Sequence, residues 1–360
     1  MSVQAAPGGE PGARPSERGV FPHLRLGGRW INLLWVIPAL ALVVLAGFGV
    51  ATWLRTLPEV QDFITRYPGS VARDEPQGYP WWLRWQHLLN AIFLVPIVRA
   101  GLQVWAGRPR AYWRKPGTPG RDWLRIQRAM PAEGGWSMRD DVVDLHPQIG
   151  IPGGKRGGGL GRIIHLSVTM LWVANGILFY ILLFATGQWT RTVPTSWDVF
   201  PNALSALIQY LSFHFPVTDS WSSYNSLQLL SYFATTFIAA PLAVLTGLAH
   251  SPAIAKRLKA TDSRILNAEV AKSLHLLVLA WFVVFTIAHV TLVLITGALK
   301  NLNHIVLGEQ GTGWAGAILF AVAVVIGAAL WLVASRFATK HQARVQKVGT
   351  AMLGPANKWF

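Results

Sequence analysis

Long apolar runs alternate with polar segments along the chain. Six of these runs are long enough to cross the roughly 30 Å hydrocarbon core of a bilayer as single helices. The first run is too long for the core of a signal peptide, which predicts a retained membrane span. The pattern therefore predicts an all-α fold, a polytopic transmembrane helical bundle of six spans. The predicted spans are residues 31–54, 81–105, 162–187, 225–249, 271–298 and 314–335.

The polar segments differ from one another in character. Residues 1–30 are rich in Gly, Pro and Arg, which predicts a flexible cytoplasmic tail. Residues 107–161 form a long basic loop, and residues 336–360 form a basic tail. The stretch 200–215 is typical of an amphipathic helix that lies on the outer surface of the membrane or packs over the bundle.

The composition places the chain among membrane proteins. Hydrophobic residues make up 52% of the 360 residues and charged residues only 13%. The net charge of +16 does not indicate nucleic-acid binding, because the basic residues fall in blocks between apolar spans. The absence of cysteine excludes disulfides, cysteine-ligated iron–sulfur clusters and covalent c-type haem. Any redox centre must therefore be held by histidine.

Lysine and arginine are distributed unevenly between the two sides of the predicted bundle. Basic loops favour the cytoplasmic side of a membrane. The distribution predicts a multi-pass protein with both chain termini in the cytoplasm. The segments 1–30, 107–161, 250–270 and 336–360 carry 23 Lys and Arg residues, whereas 55–80, 188–224 and 299–313 carry 5.

Two histidines interrupt the fifth apolar run. His275 and His289 are fourteen residues apart, so on one helix they lie about 21 Å apart along the axis and project within roughly 40° of each other. A lone histidine in a membrane is often an interhelical hydrogen bonder. Two imidazoles on one face, one near each side of the membrane, instead favour iron ligation. We interpret each as one axial ligand of a separate, non-covalent haem b.

Two further histidines supply a partner at each depth. His87 lies near the outer end of the second span, and His165 lies near the inner end of the third. His165 and His275 both precede the glycine that ends their span by 22 residues, which places the two rings at nearly the same depth. The depths predict that His87 and His289 hold an outer haem and that His165 and His275 hold an inner one. All four are thus predicted metal ligands.

Basic residues stand one helical turn before three of these histidines. Arg84, Arg162 and Lys272 each precede the first histidine of their span by three residues, and residues three apart share a helix face. A cation at the membrane boundary would pair with a haem propionate, which makes these three predicted cofactor-binding residues. The alternative is that they anchor helix ends at the interface.

Other features of the spans have structural interpretations. Four spans end in Ala-Gly or Thr-Gly, with the glycines at 101, 187, 247 and 297, which we interpret as helix termination or close helix contact. Asn90 and Asn175 are predicted to hydrogen-bond between helices. His214 is interpreted as interfacial. The remaining histidines lie at span ends or in soluble segments and are excluded as axial ligands: His23, His146, His250, His304 and His341.

The four central spans resemble a known superfamily, which contains bacterial cytochrome b561 and the cytochrome b subunits of nickel hydrogenases and formate dehydrogenases. The likeness is closest to the thiosulfate-reductase-type cytochrome b subunits. It covers about half of the chain. The matching segments read RWQHLLNAIF, AGLQVW, IIHLSVTMLWVANGILFYILLFATGQWTR, YNSLQLLSYFATTFIAAPLAVLTGLAHSP and LHLLVLAWFVVFTIAHVTLVLITGALKNL.

The resemblance implies a four-helix core, residues 81–298, that binds two haems at the four histidine positions. It also implies electron transfer between a quinone pool and a peripheral catalytic subunit, often a molybdopterin oxidoreductase. The spans 31–54 and 314–335 are additional to this core. In relatives that start with the core, the first haem helix is expected to begin in the cytoplasm, whereas the Lys and Arg bias here places its start outside. Either the core is inverted or the charge bias misleads.

Two other classes of function compete with this interpretation. A transporter or channel is disfavoured because none of the predicted spans contains Asp or Glu. A cofactor-free membrane anchor would use the basic loop 107–161, with Trp113, Trp123 and Trp136, to dock an acidic surface. The alternative for that loop is a solvated surface facing anionic lipid. The sequence contains no substrate-converting site, so we expect an electron-transfer subunit of an oxidoreductase rather than an independent catalyst.

Overall fold

The fold is mainly helical. The computed structural model describes residues 21–73, 75–113, 121–126, 142–143, 145–146, 149–151, 159–216, 220–250 and 267–353. The helices are α1 (Val36–Leu54), α2 (Pro58–Arg66), α3 (Trp81–Ala106), α4 (Gly159–Ala185), α5 (Val199–Leu211), α6 (Ser226–Phe233), α7 (Ala240–His250), α8 (Ala268–Ile295), α9 (Ala298–Leu302), α10 (Ala315–Lys340) and α11 (Gln342–Leu353). Four short strands accompany them, namely β1 (His23–Leu26), β2 (Arg29–Asn32), β3 (Arg110–Tyr112) and β4 (Asp122–Arg125).

Six helical segments of the described chain are long and apolar enough to cross a membrane, which confirms the predicted fold class. The fourth is a composite, because a π-helical stretch, Ala234–Ala239, joins α6 to α7. α1 packs on α5, and α10 packs on α3, so the first and last spans flank the central four. The six segments are Leu33–Leu54, Trp81–Ala106, Gly159–Ala185, Ser226–His250, Ala268–Ile295 and Ala315–Lys340.

A small sheet corrects the prediction of a flexible tail up to residue 30. The strands pair in the antiparallel order β2-β1-β4-β3, so that His23 lies opposite Arg125. Local composition could not reveal this, because the partner strands come from the basic loop about a hundred residues further along the chain. Residues 1–20, most of that loop and its Trp136 lie outside the described residues.

The sheet is fixed to the N-terminal end of α8, and the end of the bundle that holds His165 and His275 is called the inner end below. The Trp123 indole donates a hydrogen bond to Ser273 Oγ at 2.9 Å, and Ser273 donates to the Tyr112 carbonyl at 2.7 Å. A buried ion pair, Arg110 with Asp122 at 2.9 Å, joins the two loop strands. Because Ser273 stands two residues before His275, these bonds hold the sheet beside the inner histidine pair.

The predicted amphipathic helix is α5, and it packs over the opposite end of the bundle, which holds His87 and His289 and is called the outer end below. Its polar side chains do not face water: Asn202 accepts a hydrogen bond from the Gly69 amide, and Gln209 donates to the Pro68 carbonyl. Its apolar side receives α1, where Leu211 lies against Gly47. The helix thus closes the outer end and attaches the first span.

Candidate functional site

A large cavity runs between α3, α4, α6–α7 and α8. Its volume is about 3060 Å³, whereas a typical pocket for one small ligand has roughly 300–1,000 Å³. All four predicted ligands line it. The cavity therefore has room for more than one large prosthetic group, with a pair of histidines at each end.

The four histidine rings meet in the predicted pairs. The ring centroids of His87 and His289 are 6.1 Å apart, and those of His165 and His275 are 6.3 Å apart. Two imidazoles bound on opposite sides of one metal ion, at about 2 Å each, would have their centroids roughly 6 Å apart. Both pairs have the spacing that a single metal between the rings requires.

The inner ring on α4 has a fixed orientation and tautomer. His165 Nδ1 lies 3.0 Å from the Ile97 carbonyl oxygen, which can only accept, so Nδ1 carries the proton. Gly101 lies against the same ring, since a Cβ added there would meet His165 Cε1 at 3.2 Å. The proton on Nδ1 leaves the Nε2 lone pair for a metal.

The inner ring on α8 is oriented in the same manner. His275 Nδ1 lies 2.9 Å from Thr246 Oγ1, and Thr246 donates its own proton to the Leu242 carbonyl at 2.6 Å. His275 Nδ1 must therefore be the donor, and its Nε2 is again unprotonated. Gly247 packs on this ring, with a hypothetical Cβ 3.5 Å from Cε1.

Aromatic neighbours position the outer pair. Phe285 stacks on His289 with an interplanar angle of 5° and a centroid separation of 5.6 Å. The Tyr232 ring meets His289 edge-on at 6.0 Å. These two contacts restrict the orientation of the His289 imidazole.

The basic residue predicted on α3 does not face the cavity. Arg84 Nη1 donates to the Val306 carbonyl at 3.0 Å, and Gly308 packs on its guanidinium. Arg84 is therefore placed to fasten the segment after the fifth span to α3, and the structure does not bring it to the histidines. The three-residue spacing correctly places Arg84 one helical turn before His87. It does not determine the direction of the long side chain, which extends to Val306 instead of the cavity.

The other two predicted cations do line the cavity at its inner end. Lys272 is buried and lies 3.6 Å from Glu269, and Arg162 stands on the facing helix. Two further arginines, Arg108 and Arg121, also line this end. Sequence reasoning missed them, because they come from the basic loop and carry no helical spacing to a histidine. The inner end thus collects positive charge suited to carboxylates.

A buried arginine that the sequence analysis did not single out organises the outer end. Arg191 donates hydrogen bonds to the carbonyls of Gly78 and Ser220. Its guanidinium lies over the rings of Tyr79 and Tyr224, at 4.9 and 4.7 Å from their centroids. It therefore joins three connecting segments over the outer histidine pair. In the sequence, Arg191 is the one Lys or Arg residue of the segment 188–224, and nothing else there indicates its role.

Glu75 supplies the countercharge beside this arginine. Its carboxylate pairs with Arg73 and lies 3.8 Å from Arg191 Nε. Burial raises the pKa of the Glu75 carboxyl, and the two arginines act in the opposite direction. The cluster of two cations and one anion lies outside the membrane-spanning helices, above the outer pair.

The remaining polar residues behave mostly as the sequence indicates. Asn175 donates to Asn90 Oδ1 at 3.4 Å, which confirms the interhelical hydrogen bond. His304, excluded as a ligand, is buried with its Nδ1 3.3 Å from Ser220 Oγ. His250, also excluded as a ligand, lines the inner end of the cavity.

Each site offers two nitrogen donors. Within the described residues, no group of three or more His, Cys, Asp or Glu side chains is arranged to hold a metal ion. Two opposed imidazoles suit a metal whose other ligands come from a macrocycle, which is the arrangement in b-type haem proteins. The donor set therefore fits haem better than a bare ion.

Comparison with protein families gives the same answer. The family described as prokaryotic cytochrome b561 matches residues 78–308, well over half of the 360-residue chain. The chain belongs to the prokaryotic cytochrome b561 family. This cytochrome is a multi-pass membrane protein of the b type that takes part in electron transfer and binds haem b. Comparison with curated proteins and with solved structures finds no significant match.

Proposed function

We propose that this cytochrome holds two haem b groups. Electrons cross the bilayer by passing from one haem to the other. His87 and His289 bind the outer haem, and His165 and His275 bind the inner one. The observation that supports this most strongly is the pair of imidazole contacts at 6.1 and 6.3 Å, placed fourteen residues apart on the single helix α8. One haem would not span that distance, whereas two form a relay.

Each part of the site has a role in this proposal. The haem iron supplies a reversible one-electron couple. Nε2 of the four histidines would hold the haem iron, and the Ile97 carbonyl and Thr246 hydroxyl keep the proton on Nδ1 at the inner site. Arg162 and Lys272 would hold propionate carboxylates at the inner end. Arg84, bonded to Val306, has the role of a helix fastener instead.

The proposal extends to partners. A quinone from the membrane pool exchanges electrons at one end, and a peripheral redox subunit, for example a molybdopterin oxidoreductase, exchanges them at the other. The basic loop 107–161 suits docking of an acidic protein surface. This assignment follows the resemblance to thiosulfate-reductase-type subunits, in which the cytochrome is one component of an enzyme complex.

We also propose that both chain termini lie in the cytoplasm of a bacterium, with the protein in its inner membrane. The strands β1 and β2 before the first span form one sheet with β3 and β4 after the second, so all four lie on the same side of the bilayer. Two spans separate them, which agrees with that requirement. The excess of Lys and Arg in the same segments supports assigning this side to the cytoplasm.

The decisive experiment is a haem count on purified protein. We expect b-type bands in the reduced-minus-oxidised spectrum and about two haems per chain in the pyridine haemochrome assay. A folded preparation that binds no haem after supplementation would support the anchor or transporter alternatives. One haem per chain, unaffected by removal of either histidine pair, would contradict the relay.

A further inference from the structure

A repeated spacing links the two histidine pairs. On α8, Phe282 lies seven residues after His275 and seven before His289. On α4, Trp172 lies seven residues after His165. Seven residues make nearly two full helical turns, with a drift of only about 20°. The aromatic residues therefore project from the same helix faces as the histidines, about 10 Å along the axis from each neighbouring ring.

The two aromatic rings meet in the middle of the cavity. The centroids of Trp172 and Phe282 are 6.3 Å apart, and the rings are nearly perpendicular at 83°. Both side chains line the cavity. The ring pair thus repeats the contact of His165 with His275 two turns further along the same two helices.

Aromatic residues at helical spacing usually fill a core, so the direction of these rings matters. The neighbouring Trp281 shows the difference, because its indole turns away and donates to Thr235 Oγ1 at 3.1 Å. Trp172 and Phe282 instead face the space between the two sites. Because Phe282 stands midway between His275 and His289 on α8, the ring pair lies at a depth between the two histidine pairs.

We propose that Trp172 and Phe282 form the electron path between the two haems, an inference that rests on the proposed two-haem relay. One electron leaves the iron of the reduced haem and reduces the iron of the oxidised haem, with a quinol or a reduced redox subunit as the original donor. Neither ring is oxidised or reduced. Electronic coupling decays less steeply through packed atoms than through empty space, so the rings shorten the effective gap.

The test measures electron redistribution between the haems. A photochemically generated one-electron reductant is pulsed onto the oxidised protein, and the two haem bands are followed with time. Trp172→Leu and Phe282→Leu should each slow redistribution several-fold. The double variant should slow it by less than the product of the two single effects, because the rings serve one path. Haem content and both midpoint potentials should stay as in the unmodified protein.

Two controls separate the path from simple packing. Trp281→Leu removes an indole of equal size from the next position and should leave the redistribution rate unchanged. Trp172→Phe keeps a ring and should retain most of the rate. If Trp172→Leu loses a haem, the redistribution rates of Phe282→Leu and Trp172→Phe are compared with that of the unmodified protein instead.

The possible failures are distinguishable. Unchanged redistribution in both leucine variants, with two haems bound, would overturn the proposed path while leaving the relay intact. Equal slowing by Trp281→Leu would overturn it as well, since the effect would then be one of general packing. Fewer than two haems in the unmodified protein would refute the relay itself.

Discussion

Thr246 Oγ1 accepts a hydrogen bond from His275 Nδ1 at 2.9 Å and donates one to the Leu242 carbonyl at 2.6 Å. The hydroxyl therefore acts as a one-way acceptor that fixes which imidazole nitrogen is protonated. Helix geometry favours this, because a threonine hydroxyl within a helix can donate back to the carbonyl one turn earlier. The orientation of His275 thus depends on a residue outside the pair of rings.

Replacing Thr246 with valine should weaken haem binding at the inner site. Valine has the same shape but cannot accept the Nδ1 proton, and loss of such a partner typically costs about 10–100-fold in metal affinity. Haem titration of the purified variant, followed at the inner-haem band, measures this. Thr246→Ser keeps the hydroxyl and should bind normally. Equal weakening in both variants would mean that packing, not the hydrogen bond, matters.

The histidine pairs should behave as two independent units. His87→Ala and His289→Ala should remove the same spectral component, and the double variant should lose nothing more, because both residues serve one centre. His165→Ala and His275→Ala should remove the other component. Low-temperature spectra of the variants measure this. Loss of one component by both His87→Ala and His275→Ala would contradict the pairing.

Arg191→Gln should destabilise the outer end of the protein. The change breaks bonds to Gly78 and Ser220 and leaves Glu75 with one cation fewer. Removing one partner of a buried ion pair typically costs about 3–5 kcal/mol. Thermal unfolding in detergent should show a clear loss of stability. Arg66→Gln, at an exposed position of α2, is the matched control and should change little.

Gly308→Ala should also destabilise the fold. Gly308 has a φ of 72°, and a Cβ there would meet Arg84 Cζ at 2.8 Å. A left-handed backbone at a non-glycine residue costs of order 1–3 kcal/mol, and the contact with Arg84 adds to that cost. Gly313→Ala lies in the same connection with nothing within 4 Å of the added Cβ, so it should be tolerated. Equal stability of the two variants would argue against this account.

The proposed orientation predicts the behaviour of fusion proteins. An alkaline phosphatase fused after residue 205 should be active, because this enzyme folds only outside the cytoplasm, and one fused after residue 130 should be inactive. A cytoplasmic reporter at the same two positions should give the reverse pattern and serves as the control. The opposite result for both reporters would mean that the core has the orientation expected from the resemblance, against the charge bias.

The spans and the histidine pairing were predictable because both depend on helix periodicity and the thickness of a membrane. Glycine at span ends was harder to interpret. Gly187 and Gly297, with φ of 72° and 128°, end their helices as predicted. Gly101 and Gly247 instead lie within helices and admit the rings of His165 and His275. The same Ala-Gly or Thr-Gly pattern thus either ends a helix or makes room for a histidine ring, and only tertiary packing distinguishes the two roles.

The sheet and the Arg84 contact were not predictable for a different reason. Both depend on residues far apart in the chain: β1 pairs with β4, and Arg84 reaches Val306. The local composition at residues 23–32 is that of a solvated tail. An isolated short hairpin is only marginally stable in water, so this segment alone would not be expected to form strands. Its stability comes from the partner strands and from contacts such as Arg125 over the Trp30 ring at 3.7 Å.

The pairing of β1 with β4 also sets an order of assembly during synthesis. The first hairpin leaves the ribosome well before residues 122–125, and at about 5–20 residues per second the delay is on the order of 5–20 s. During that delay α1 and α3 are made, because both lie between the paired strands in the chain. The strands of the sheet must lie on one side of the bilayer, so the sheet cannot close when only one of these two helices has crossed. Closure of the sheet therefore selects against a chain in which only one of the first two spans is inserted, and all four strands are made before His165 and His275 on α4 and α8.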